Sequence, residues 1–123
     1  MLSTELKLKR HSLGLRVKDL ADIGGVSLRE AQRWESGKRP PADVVESIEK
    51  LWNERVQLLD QVVTAGKQEG SAVLDTYVHA GQLKTSHRGL EGHHAFIEQA
   101  MLALSLNGVP YEVREMKDTN KPL

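Results

Sequence analysis

Arg29 and Arg33 stand one helical turn apart in the stretch Leu28-Arg29-Glu30-Ala31-Gln32-Arg33-Trp34-Glu35, with Gln32 between them and Leu28 just ahead. A guanidinium offers a planar fork that fits guanine O6 and N7. A carboxamide fits adenine N6 and N7, and an aliphatic side chain packs on a thymine methyl. Leu28, Arg29, Gln32 and Arg33 on one exposed helical face therefore have the chemistry to read base edges. Arg16, Lys18, Ser27, Ser36, Lys38 and Arg39 flank them and suit phosphate oxygens. Arg16 and Lys18 also fall at the start of a predicted helix, whose free N–H groups attract phosphate. The competing reading makes Arg29 and Arg33 generic phosphate contacts, or leaves the segment as a plain helical bundle. A plain bundle does not account for two arginines on the outward face of one helix with Lys38-Arg39 beside it.

That face needs a scaffold. Residues 3–13 read as a short helix with Leu6, Arg10 and Leu13 on one side, Ser3 or Thr4 as its cap and Gly14 as its stop. Residues 16–23 read as a second helix, broken by Gly24-Gly25. Ser27 caps a third, 28–36, and Ser27 with Glu30 has the spacing of a reciprocal capping box. Two helices crossing through a short turn need a small residue at the crossing and one tolerant of positive φ in the turn; Ala21 and Gly25 supply them. Val26, Ala31 and Trp34 are expected to face inward. From Val44 to Val63 apolar residues recur at helical spacing. This predicts one helix over 44–65, capped by Asp43 and ended by Gly66, with 66–71 as a linker. Trp52 is expected in the core or in an interface.

The segment Leu20-Ala21, Gly25-Val26-Ser27, Arg33-Trp34-Glu35 and Gly37-Lys38-Arg39, extended back through Lys9-Arg10, Leu13-Gly14-Leu15 and Asp19, resembles the XRE/Cro-repressor family of helix-turn-helix proteins. The likeness spans about residues 3–41 and departs from the family at Gly24, where an aliphatic residue is usual, and at Ala31, where a β-branched one is usual. Trp34 is expected to refill some of that volume, and a slightly looser turn, not a lost fold, is the expected result. The resemblance implies an ion pair between Arg10 and Glu35 inside the head. Beyond residue 41 the layout is similar to that of the anti-CRISPR-associated autorepressors. The shared features are Trp34-Glu35-Ser36-Gly37, Pro41, Asp43-Val44-Val45-Glu46 and a long helix containing Arg55. This second likeness implies C-terminal dimerisation and repression of the protein's own operon, with RNA as a further partner of the basic face in some members.

In the last third, 72–78 and 110–116 read as strands, 79–92 as a glycine-containing loop and 93–106 as an amphipathic helix stopped by Asn107-Gly108. The expected fold is thus mainly α: a helix-turn-helix bundle with its long helix over 1–65, then an α+β dimerisation unit over 72–116. Net charge is zero, yet residues 1–43 carry nine Lys/Arg against six Asp/Glu, so a +3 head precedes a −3 body. The absence of cysteine excludes disulfides and thiolate metal sites. A reducing cytoplasm is the expected setting, and no apolar run reaches the ~20 residues of a membrane span. His79, His87, His93, His94 and Glu98 invite a metal site, but adjacent His93 and His94 point apart on a helix, so a solvated helix start is preferred and no metal or other cofactor is expected. No nucleophile elbow or phosphate-binding glycine loop occurs, and no enzyme activity is expected. The leading expectation is a homodimeric repressor on double-stranded operator DNA. The alternative is an antitoxin that binds a partner protein through its C-terminal part.

Overall fold

The computed structural model describes residues 1–76 and 89–116, the latter with side chains from Gly92 onward. The protein is mainly helical, in the order α1 (Ser3–Ser12), α2 (Val17–Gly24), α3 (Leu28–Glu35), α4 (Ala42–Glu69), β1 (Ala72–Thr76), α5 (Gly89–Leu106) and β2 (Tyr111–Glu115). The chain divides into two compact units, Met1–Val56 and Gln57–Leu123, and the boundary falls inside α4. The expected residues 77–78 of the first strand, the loop residues 79–88 with His79 and His87, and the tail 117–123 lie outside the described residues.

In the first unit, α1, α2, α3 and the start of α4 enclose Leu6, Leu13, Leu15, Leu20, Ala31, Trp34, Val44 and Ile48, all buried. Helix α1 is not capped by Ser3 or Thr4. Leu2 holds the N-cap position without a side-chain bond, and both hydroxyl residues fall inside the helix. Gly14 follows at φ 72°, a value that favours glycine, and ends the helix as expected. Lys9 bridges α1 to α4: its ammonium lies 2.8 Å from Glu49 and 3.0 Å from Glu5, over the Trp52 ring at 5.3 Å. The hydrogen bond from Lys9 to Glu49 raises the Lys9 pKa above the ordinary lysine value. Trp52 is thus half-buried against the head's core. Arg55 is buried and reaches back to the Ser12 carbonyl at 3.4 Å.

Helix α4 is longer than its apolar pattern predicts. It starts at Ala42, so Asp43 lies in the first turn instead of capping it, and it runs through the expected linker to Glu69. Gly66 does not stop it. An added Cβ there would lie 2.9 Å from Val109 Cγ1 and 3.1 Å from Leu104 Cδ2, so this glycine admits side chains packed from α5 and the segment after it. The stop is Gly70, at φ 82°.

In the second unit β1, α5 and β2 form a β-α-β unit. Strands β1 and β2 pair in parallel, Ala72 with Tyr111 through Thr76 with Glu115. Parallel neighbours need a long crossover. Helix α5 supplies its helical part and begins at Gly89, so 89–92 are helical and not loop. Leu74, Ile97, Ala100, Leu104 and Val109 form the core with Val63 of α4, and Phe96, Met101, Leu59 and Val62 pack around it. Asn107 closes α5 by donating from Nδ2 to the Ala103 carbonyl at 2.7 Å, and Gly108 turns the chain at φ 69°.

Candidate nucleic-acid interface

Helix α2 and helix α3 are joined by Gly25-Val26-Ser27. Gly25 adopts the left-handed conformation, φ 65° and ψ 34°, which only glycine enters without steric cost. Val26 N–H then bonds the Ala21 carbonyl at 3.0 Å and closes the turn. Gly24 has a different reason to be glycine. An added Cβ would stand 2.5 Å from Trp34 Cη2 and 3.2 Å from Val44 Cγ2. The Trp34 ring, 1% exposed, fills the space a larger residue would take. The turn is therefore tight rather than loose.

Ser27 caps α3, its Oγ accepting from Glu30 N–H at 3.2 Å. Only this half of the expected capping box forms. The Glu30 carboxylate turns outward and accepts from Arg33 Nη1 at 3.3 Å and from Lys38 Nζ. The bond from Lys38 holds the Glu30 carboxyl below the usual carboxylate range. Ala31 and Trp34 anchor the inner face of α3, while Leu28 (48% exposed), Arg29, Gln32 and Arg33 line the outer one. Ser36 donates to the Gln32 carbonyl at 2.9 Å and lies exposed beside Gly37, Lys38 and Arg39. Arg16 precedes α2 and Lys18 lies in its first turn, both exposed; the Arg16 N–H and guanidinium both meet Asp19 Oδ2, at 2.7 and 3.5 Å. The cations on this face thus differ. Arg16, Arg33 and Lys38 are already engaged by acids, whereas among the described residues Arg29 has no ion-pair partner.

Beneath this surface Arg10 and Glu35 meet in a two-pronged pair. Arg10 Nε lies 2.5 Å from Glu35 Oε2 and Nη2 lies 3.0 Å from Oε1. The third prong, Nη1, donates to the Leu15 carbonyl at 2.8 Å. The side chains are 11% and 8% exposed. The pair joins α1, the turn after it and the end of α3, and so fixes the helix that carries the outward residues. Its hydrogen bonds offset the cost of taking both charges out of water. What the amino-acid order did not reveal is the acid Glu30 among the outward cations, or Lys9 over Trp52. Spacing alone does not separate a capping glutamate from one that turns outward. Of the histidine cluster, His79 and His87 lie outside the described residues; among the described residues no group of three metal-ligating side chains converges.

Two short helices joined by a three-residue glycine turn, the second one capped and exposed, define a helix-turn-helix unit of the DNA-binding kind. Residues 6–57 match the helix-turn-helix family model HTH_3, the XRE type, so that this part of the chain is a DNA-binding domain of the sort found in transcription regulators. The match contains the whole outward face of α3 and less than half of the chain. No curated protein matches the sequence. Among the described residues no helix is long and apolar enough to cross a membrane.

Proposed function

We propose that the protein is a homodimeric transcriptional repressor that recognises an inverted-repeat operator and controls its own operon. The observation that carries this reading is the outer face of α3: four side chains with base-reading chemistry, aimed away from a core that Trp34 and the Arg10–Glu35 pair hold fixed. In this reading Leu28, Arg29, Gln32 and Arg33 contact base edges. Arg16, Lys18, Ser27, Ser36, Lys38 and Arg39 contact phosphate and set the register. One recognition helix reads only a few base pairs, so selectivity in a genome asks for a second half-site and a second copy. Repression follows from occupancy of a promoter and needs no cofactor.

The test begins with selection of bound sequences from random duplex DNA by the purified full chain, which should return an inverted repeat. Arg29→Ala and Arg33→Ala should then each weaken operator binding by about 1–3 kcal/mol and relax preference at one position per half-site. Lys38→Ala should weaken binding to operator and scrambled DNA alike and lower the salt slope by about one. Equal losses on both DNAs for the two arginine variants would sink the base-reading assignment.

A further inference from the structure

We infer that β2 is the seam of the homodimer: two copies of β2 pair antiparallel about a two-fold axis at Val113, extending the two-stranded sheet to four strands. This rests on the dimeric reading above and names its interface. Among the described residues the ladder fixes which backbone groups of β2 are available. Ala72 N–H donates to the Pro110 carbonyl, and Met116 N–H donates to the Thr76 carbonyl at the other end. Positions 110 and 116 therefore turn their backbone groups toward β1. By the alternation of a strand 112 and 114 do the same, and Tyr111, Val113 and Glu115 direct N–H and C=O to the outer edge. An antiparallel partner centred on Val113 meets these groups in phase. Val113 faces its own copy and Tyr111 faces Glu115, each as a doubly bonded pair, giving about six backbone hydrogen bonds.

The side chains fit the same register. Glu112 and Arg114 lie on the face away from the core, 3.2 Å apart within one strand. Across the axis each Glu112 would stand directly opposite an Arg114, in the close non-bonded positions of the ladder where opposite charges stabilise. Asp75, paired with Arg114 inside each chain, extends this row with alternating sign. On the other face Val113 is registered with buried Leu74, yet it is 40% exposed. An apolar residue on the core side of the sheet, left open at the edge, is what a second Val113 would cover. Strand β1 offers no such match. Its outward backbone groups belong to Val73 and Asp75, and antiparallel self-pairing about Leu74 would set Val73 against Asp75. A two-stranded sheet is also marginal by itself, and four strands relieve that.

Light scattering on the full chain is the primary measurement, with circular dichroism as the check on folding. Glu112→Arg and Arg114→Glu should each abolish the dimer at concentrations where the native chain is dimeric, because like charges then face each other twice. Mixing the two variants should restore a dimer of one copy of each, and the doubly exchanged E112R/R114E chain should dimerise with itself. Val113→Cys, in a chain without cysteine, should oxidise to a covalent dimer across the axis. A native dimer that both single variants leave intact, or that Val113→Cys fails to cross-link, overturns the seam and leaves the dimeric repressor standing. A native chain that is monomeric at all concentrations overturns the seam and the homodimer together, while the operator selection still reports on DNA reading separately.

Discussion

The two units solve the problem of a small core in opposite ways. The first, Met1–Val56, admits charge into its interior: Arg10 and Glu35 are nearly buried, Arg55 is buried, and Lys9 lies across Trp52. Its outer α3 face is polar and cationic. The second unit has a core of aliphatic side chains around Leu74, Ala100 and Leu104, and leaves Val73, Leu102, Leu106, Val113 and Met116 exposed. A buried ion pair adds little net stability over apolar packing, but it penalises every arrangement that separates its partners. The head uses that penalty to fix α3, and it too leaves apolar side chains exposed, Leu2, Leu8, Leu28 and Val56. The contrast separates a part held by buried charge from a part held by aliphatic packing.

The comparison breaks most sharply at Arg10 and Glu35. Arg10→Met and Glu35→Leu should each destabilise the chain by about 3–5 kcal/mol, and the double variant by less than the sum, in urea unfolding followed by tryptophan fluorescence. Additive losses below ~1 kcal/mol would mean that the head is held by its aliphatic core, as the second unit is. Next come the two helix glycines that admit a neighbour's side chain. Gly24→Ala drives a methyl into a rigid indole and should cost about 1–3 kcal/mol, recovered in part by Trp34→Phe. Gly66→Ala meets Val109 and the movable end of Leu104, and should cost less. Equal costs would show that the second core is as inflexible as the first.

Two smaller effects sharpen the contrast of surfaces. Glu30→Gln releases Arg33 and Lys38 from their acid, so affinity for scrambled DNA should rise several-fold and more than affinity for operator. A fall in both affinities would show that Glu30 instead positions those cations for DNA. In the second unit burial, helped by the neighbouring His94, keeps His93 below the ordinary histidine range. Unfolding below that range therefore takes up a proton. Stability is at its full value above the ordinary histidine pKa and declines as pH falls through it. Thermal melts at successive pH values should show this decline, and His93→Gln should flatten it while leaving the helical head unchanged.

The head was legible because short-range rules act there. Gly14 and Gly25 mark turns, Ser27 marks a cap, and Ala31 and Trp34 fall on the inner face of a helix too short to hide its periodicity. Where local rules misled, packing across the unit decided. Gly24 suggested a slightly loose turn because spacing pointed to Trp34 as the residue that refills the space but not to how completely it does so. Gly66 suggested a stop because the demand on it comes from Leu104 and Val109. Ser3 and Thr4 suggested a cap one or two residues too late, an error of the size that fraying helix ends invite. The partners of Glu30 were hidden for another reason: the capping-box spacing is satisfied by the backbone half alone, and an exposed carboxylate then follows the nearest cations.

The close fit of Gly24 to Trp34 also limits how this turn can drift by single substitutions. A larger residue at position 24, while the indole is present, meets the ring at a distance no Cβ tolerates. A smaller residue at position 34, while glycine is present, leaves a void beneath α3, and an emptied aromatic site costs about 3–5 kcal/mol. Each position is viable only beside the other's present occupant, so a one-letter-at-a-time path between this turn and one with an aliphatic residue at 24 crosses a destabilised intermediate. A library that varies the two positions together should recover folded heads that neither single-site library contains.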